Sequence, residues 1–297
     1  LNSKNSLLDP YSINRLSNLQ VKARAVVEGF LTGLHQSPYH GFSVEFSQHR
    51  QYMPGDSLRH LDYKILAKTG RYYIKQYEEE TNLKAYILFD HSGSMRFGSK
   101  EITKLEYGKV LAASLSLLLL KQRDAVGLIT FAGEVTSILP PKSALGWLET
   151  LSNQLNDTVG EGSTSVTSSL FNVAERIKRR GLVIVISDLL DDPDKIIAGF
   201  KALRHVGHDM IVFQVLDPKE ITFDYPKDAR FQDLESGQIL PSKPWHIRDE
   251  YQKSVNEFID NIRVNCRAHN IDYHLFTTDI PYSLALFEFL DRRRRMF

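Results

Sequence analysis

The sequence predicts an α/β protein built on a doubly wound, mostly parallel sheet flanked by helices. Strand-like and helix-like patterns alternate from Lys84 onward, the rhythm that gives a parallel sheet with helices on its faces. Two strand segments, Lys84–Asp90 and Leu182–Asp188, are apolar almost throughout, as strands buried on both faces are. Each of them stops at an aspartate, where a parallel sheet presents its ligands.

Taken in order, Ala85–Asp90 reads as a strand and Thr103–Gln122 as a helix, whose apolar run Val110–Leu120 suits a helix packed on a sheet. Strands follow at Ala125–Phe131 and Val135–Leu139, parted by the turn Ala132-Gly133-Glu134. Ser143–Leu155 and Val166–Arg180 read as helices, and Leu182–Asp188 as a strand. The next helix opens with Asp192 as N-cap and Pro193 in its first turn. Asp209–Leu216 is a strand, Trp245–His269 a long helix and Ile271–Thr277 the last strand. Residues 217–241, rich in Asp, Pro and Gly, break this rhythm. Their short segments at Ile221–Phe223 and Ala229–Leu234 predict a β-hairpin-like insertion.

Residues 1–83 follow another pattern and are expected to form an α+β attachment to the domain of residues 84–297. Ser12–Phe30 predicts an amphipathic helix with Leu16, Leu19, Ala23, Val26, Val27 and Phe30 on one face. Phe42–Tyr52 alternates like a strand, Leu61–Lys68 reads as a short helix and Arg71–Glu78 as extended chain.

The 297 residues suffice for one large domain with an attachment, and 42% hydrophobic with 25% charged residues is an ordinary globular composition. A net charge of +1 gives no electrostatic case for nucleic acid. The single cysteine, Cys266, rules out an internal disulfide, fits a reducing compartment and reads as a small buried side chain. Leu1–Pro10 lacks the apolar core of a secretory signal. Val110–Leu120 is shorter than the ~20 residues that span a bilayer. A cytoplasmic protein is expected, with no transmembrane segment and with peripheral membrane contact left open.

The chemistry concentrates at Asp90-His91-Ser92-Gly93-Ser94, one carboxylate and two hydroxyls at alternate positions, with Gly93 expected to allow a sharp turn. Oxygen ligands at a sheet edge suit a small hard cation, and magnesium keeps positions for water or a partner's oxygen. Gly160-Glu161-Gly162-Ser163-Thr164-Ser165 adds a further hydroxyl at Thr164, and Asp188 a second carboxylate. Taken singly, Asp90 and Thr164 also fit helix caps, and Ser92 and Ser94 fit turn residues. Their joint placement at one sheet edge is what those readings leave unexplained. His91 is read as a surface residue, because magnesium prefers oxygen. Asp191 and Asp192 are read as capping residues.

Asp90, Ser92, Ser94, Thr164 and Asp188 together resemble the metal-ion-dependent adhesion site (MIDAS) of von Willebrand factor A domains: D-x-S-x-S after the first strand, a threonine in a later loop and an aspartate after the fourth strand. The resemblance implies a von Willebrand factor A-like fold and a bound Mg2+, with Mn2+ or Ca2+ as alternatives. A glutamate or aspartate of a protein partner would complete the coordination.

A second signature lies in the attachment, Arg50-Gln51-Tyr52-Met53-Pro54-Gly55-Asp56-Ser57-Leu58-Arg59-His60-Leu61-Asp62-Tyr63. It resembles the R-x-Y-x-P-G-D-x-x-R-x-I-D-W motif of the bacterial family called domain of unknown function 58, with Leu61 and Tyr63 as conservative departures. Asp217-Pro218-Lys219-Glu220 and Leu284–Arg292 are similar to that family as well. Arg50, Asp56, Arg59 and Asp62 read first as an ion-pair network fastening the attachment and second as a docking surface. The tail Arg292–Arg295 reads as charge placed to favour a helix C-terminus, with a weak anion contact as the other reading. The family resemblance implies a non-enzymatic adaptor or chaperone-like partner of a MoxR-type AAA+ ATPase. A Mg2+-dependent phosphohydrolase or phosphotransfer enzyme is the alternative. Against it, Ser92 stands where a haloacid-dehalogenase-type phosphatase has its second aspartate, and no G-x-x-x-x-G-K-[ST] loop is present.

Overall fold

Apolar strands starting with β3 (Lys84–Asp90) pair side by side in the computed structural model, which describes residues 9–35, 49–52, 63–75, 83–162, 166–225, 229–232, 239–242 and 244–296. With β4 (Ala125–Ala132), β5 (Glu134–Lys142), β6 (Leu182–Ser187), β7 (Asp209–Leu216) and β10 (Asp272–Thr277) they form one six-stranded sheet, ordered β10-β7-β6-β3-β4-β5. All pairings are parallel except β4 with β5, whose tight connection at Ala132-Gly133-Glu134 allows an antiparallel hairpin. The chain winds outward from β3 to β4 and β5, then crosses back to place β6 on the other side of β3. The strand order therefore reverses between β3 and β6. Crevices outside the carboxyl ends of strands at such a reversal are where open α/β sheets bind ligands. This mostly parallel, helix-flanked sheet is the von Willebrand factor A-like architecture anticipated from the sequence.

Helices cover both faces. One face carries α2 (Leu19–His35), α4 (Lys104–Lys121), α5 (Trp147–Asp157) and α10 (Tyr282–Met296), joined in one apolar cluster with Ile87, Phe89 and Ile184. The other carries α6 (Val166–Arg176), α7 (Pro193–His205) and α9 (Pro244–Ala268), packed on Leu88, Val183, Val185 and Val212. Helix α4 lies between the sheet and α2, and Leu105 to Leu120 are buried on nearly every side, as an all-round apolar helix requires. It starts with a capping box: Glu106 N–H donates to Thr103 Oγ1 at 3.1 Å and Thr103 N–H to Glu106 Oε2 at 3.1 Å.

In the attachment, the helix expected over Ser12–Phe30 is two helices, α1 (Pro10–Asn14) and α2. Asp9 caps the first, and Asn18 Oδ1 accepts the Gln20 N–H at 2.8 Å to start the second, so side-chain caps override a continuous apolar pattern. The face anticipated for α2 is the one that packs: Leu19, Ala23, Val26, Val27 and Phe30 are buried. Short strands β1 (His49–Gln51) and β2 (Tyr73–Lys75) pair antiparallel around α3 (Tyr63–Thr69).

Within the insertion the hairpin is present as β8 (Ala229–Gln232) paired with β9 (Ile239–Ser242). Ile221–Phe223, anticipated as extended, instead falls at the end of α8 (Pro218–Thr222), because Asp217 caps that helix and Glu220 completes its capping box. Cys266 is buried on α9, and burial pushes its thiol up to about 12.

Candidate metal centre

The register pairs Phe89 of β3 with Ile186 of β6, so the strands end level and bring Asp90 and Asp188 to one edge of the sheet at the reversal point. Asp90 is fully buried. Its Oδ1 accepts the Ser92 N–H at 2.9 Å and its Oδ2 accepts the Ser187 hydroxyl at 2.5 Å. Burial first, and then the negative charge of Asp188, push the Asp90 carboxyl up to about 7 against the hydrogen bonds from Ser187 and Ser92.

Beyond Asp90 the chain enters a 3-10 turn, Gly93–Arg96, which places the Ser92 and Ser94 hydroxyls 3.1 Å apart. Gly93 does not take up the positive φ that a sharp glycine turn implies; Gly162 does, at 86°. Gly93 instead donates its N–H to Gly162 O at 3.2 Å, while Glu161 N–H donates to His91 O at 3.1 Å. These two bonds tie the glycine-rich loop to the D-x-S-x-S turn. Thr164 itself, two residues further on, lies outside the described residues.

His91 is not a surface residue. It is buried, with Nδ1 at 3.0 Å from Val159 O and Nε2 at 2.8 Å from Thr136 Oγ1, and burial lowers its pKa. Its side chain leaves the D-x-S-x-S turn for the β5 side, where it braces the loop before Gly160. Asp192 caps α7 as anticipated, through a bond from Asp194 N–H at 3.0 Å. Asp191 accepts the Thr167 hydroxyl at 3.1 Å and so links the start of α6 to the β6 loop.

Asp188 is fully buried and has a partner that sequence reasoning missed. The ammonium of Lys104, the first residue of α4, sits 2.8 Å from Asp188 Oδ2 and 2.6 Å from Glu220 Oε1. Burial alone would lower the Lys104 pKa, but the two carboxylates outweigh it and raise it to about 12, so the lysine is charged. Glu220 Oε2 accepts the Asp217 N–H at 2.7 Å, and Asp217 Oδ2 accepts the Ser99 N–H at 2.8 Å. Asp217-Pro218-Lys219-Glu220, noticed in the sequence only for its resemblance, is thus wired to the candidate centre. One signal was available: a lysine in the first turn of a helix opposes the helix dipole, which asks for a nearby carboxylate. Behind the site, Gln214 donates to Asp188 O at 2.8 Å and accepts from the Tyr273 hydroxyl. Leu189, next to Asp188, is held at φ 57° with its N–H on Ser187 Oγ, an uncommon backbone for a branched apolar residue.

The described donors are Asp90, Ser92, Ser94 and Asp188, all hard oxygens, and a buried acid destabilised by its own burial is the kind of group a cation relieves. The donor chemistry therefore fits Mg2+. Among the described residues no group of three or more His, Cys, Asp and Glu is suited to a metal ion, so any such centre draws on hydroxyls as well as carboxylates.

Of the attachment's motif, Tyr52 N–H donates to Tyr72 O at 3.0 Å and the two rings lie 6.2 Å apart. Arg50 sits in β1 opposite Ile74. Pro54, Gly55, Asp56, Arg59 and Asp62 lie outside the described residues, and the expected ion-pair network with them. In the tail, Arg292 pairs with Asp272 at 2.5 Å and Arg293 with Asp124, so these two arginines make specific ion pairs rather than merely complementing a helix end.

Among the described residues no helix is long and apolar enough to cross a membrane. The sequence model of a family described as protein of unknown function DUF58 matches residues 48–258. An uncharacterized protein of Mycobacterium bovis and one of Mycobacterium tuberculosis are each 23% identical to this chain over 294 residues, spanning 97% of it and 91% of the relative. Among solved structures, the chain is similar to the conserved hypothetical protein BatB of Bacteroides thetaiotaomicron, at 20% identity and a TM-score of 0.46, over 71% of this chain and 99% of the other. It is also similar to the VWA domain of SpRpn10, at 13% identity and a TM-score of 0.40, over 69% of this chain and 94% of that one. The fold assignment rests on strand order and register rather than on these likenesses.

Proposed function

We propose, from the premise that this chain belongs to the DUF58 family, that it is a non-enzymatic protein-interaction module whose contact runs through a Mg2+ centre. Asp90, Ser92, Ser94 and Asp188 would hold the ion, with Thr164 as the further hydroxyl. When bound, the ion would supply a Lewis-acidic position for a glutamate or aspartate of the partner. The observation that carries the reading is Asp90, a fully buried carboxyl pushed up to about 7 at the point where the strand order reverses, with two neighbouring hydroxyls. The chain's own residues prepare the site: Ser187 and the Ser92 N–H fix the orientation of Asp90, and the Gly160–Gly162 loop closes over the turn. The partner implied by the family resemblance is a MoxR-type AAA+ ATPase.

Capture of partners from the native cell extract tests this, with wild type and Asp90→Ala, each in magnesium and in chelator. A MoxR-type ATPase retained only by wild type in magnesium is the expected result. Identical captures under all four conditions would overturn the adhesion reading, and magnesium-dependent phosphatase turnover lost in Asp90→Ala would replace it with the enzyme.

A further inference from the structure

The triad Asp188–Lys104–Glu220 is a deeply buried group of charges of which the proposed function uses only Asp188. Lys104 is fully buried, and an ammonium is retained in such a place only when it is paired. Both its partners are carboxylates from different parts of the fold: Asp188 at the end of β6, and Glu220 in the capping box of α8.

We propose that Lys104 is a resident counter-cation of the metal centre, which occupies one oxygen of Asp188 and so sets how tightly the site holds a divalent ion. The inference rests on the Mg2+ reading above and deepens it. The ammonium is 2.8 Å from Asp188 Oδ2, and a divalent ion drawn to the Asp90–Asp188 edge enters a field already partly neutralised by it. Glu220 is the second arm. At 2.6 Å it takes up part of the lysine's charge, so that Asp188 is not fully cancelled. Asp217 and Ser99 hold Glu220 in turn, through the Asp217 N–H at 2.7 Å and the bond from Ser99 N–H to Asp217 Oδ2 at 2.8 Å. Occupancy of the metal edge and the seating of α8, which leads into the hairpin of β8 and β9, are thereby joined through one side chain. A rim-exposed lysine would be screened by solvent; this one is not.

The charges make opposite predictions for the two arms, which a scaffolding role would not. Removing the ammonium in Lys104→Met tightens Mg2+ binding by about tenfold or more, because a like charge near the ion is gone. Removing the negative arm in Glu220→Gln weakens it, because the whole ammonium charge then falls on the site. A lysine that merely scaffolds Asp188 would weaken binding when lost.

Isothermal titration of the full chain with Mg2+, and with Mn2+ followed by its spin resonance, decides between them for wild type, Lys104→Met, Glu220→Gln, Lys104→Met/Glu220→Gln and Asp90→Ala. Breaking a buried pair on one side is costly, so the double variant, which removes both charges, serves if Lys104→Met does not fold. Tighter binding by Lys104→Met than by wild type, or by the double variant than by Glu220→Gln, is the expected result. Asp90-dependent binding that fails to tighten when Lys104 is removed overturns the role of Lys104 and leaves the metal centre standing. Absence of binding in every variant, or binding that Asp90→Ala leaves unchanged, overturns both.

Discussion

Ser187 donates its hydroxyl to Asp90 Oδ2 at 2.5 Å, joining the ends of β6 and β3 across the point where the strand order reverses. The same Ser187 oxygen accepts the Leu189 N–H at 2.9 Å, so one hydroxyl fixes both the buried carboxyl and the left-handed residue beyond Asp188. Ser187→Ala removes both bonds and leaves Asp90 with less support for its charge. It should destabilise the protein by about 2 kcal/mol, the range for a hydrogen bond to a buried charged group. Urea denaturation measures this, and a midpoint within error of wild type would show that water replaces the hydroxyl.

Magnesium should raise the melting temperature of wild type, since a ligand that binds only the folded state stabilises it by an amount that grows with the logarithm of its concentration above Kd. Chelator should reverse the gain. Asp90→Asn is expected to remove the magnesium-dependent shift while staying close to wild type in chelator, because the neutral amide escapes the burial cost and the repulsion from Asp188, and this offsets the loss of one of the two hydrogen bonds that Asp90 accepts from Ser92 N–H and the Ser187 hydroxyl. A magnesium shift of unchanged size in Asp90→Asn would place the ion elsewhere on the protein.

Much of this sheet edge is legible in the sequence. Apolar strands ending at Asp90 and Asp188 carry it, because strands buried on both faces read as continuous apolar runs in which a terminal carboxylate stands out. His91 was misplaced because the alternation of the D-x-S-x-S turn says nothing of its neighbour's depth; packing against β5 decides that. Lys104 and Glu220 are 116 residues apart, and no local period links them. Only the crossover connections bring the first turn of α4 against α8. The break between α1 and α2 was hidden for the opposite reason: the apolar spacing is continuous across it, and the Asn18 cap is a local hydrogen bond that periodicity does not register.

Arg293 and Asp124 tie the last helix to the turn before β4, and Asp124 is fully buried there. Burial raises the Asp124 carboxyl above its usual 3.8, with Arg293 opposing. A folded-state pKa above the unfolded one means that the folded chain holds more protons in that window, so this group's contribution to stability falls as pH rises through it. Arg293→Met takes away the opposing charge and pushes the carboxyl higher still. The variant should be near wild type in stability at about pH 4 and lose about 3 kcal/mol by neutral pH, where a buried carboxylate has lost its partner. Chemical denaturation across that pH range gives the profile; a loss of the same size at every pH would assign it to packing of the arginine stem instead.

Gly181 precedes β6, and a Cβ built on it lies 2.4 Å from the carbonyl oxygen of Lys84 at the start of β3. The obstacle is backbone, so neither a rotamer change nor a small side-chain shift relieves it. These two strands end at Asp90 and Ser187, and a displacement at their beginnings is expected to be carried along the parallel ladder to the Asp90–Asp188 edge. Gly181→Ala should therefore cost about 2 kcal/mol, the scale of overpacking in a closely packed site. It should also weaken Mg2+ binding, although it lies at the far end of both strands. Gly146→Ala is the control: nothing stands within 4 Å of its Cβ, and it should be neutral in both measurements. If Gly181→Ala lowered stability and left magnesium affinity untouched, the ladder would be absorbing the strain before its carboxyl end, and the position of Asp90 would be set by Ser187 and the D-x-S-x-S turn alone.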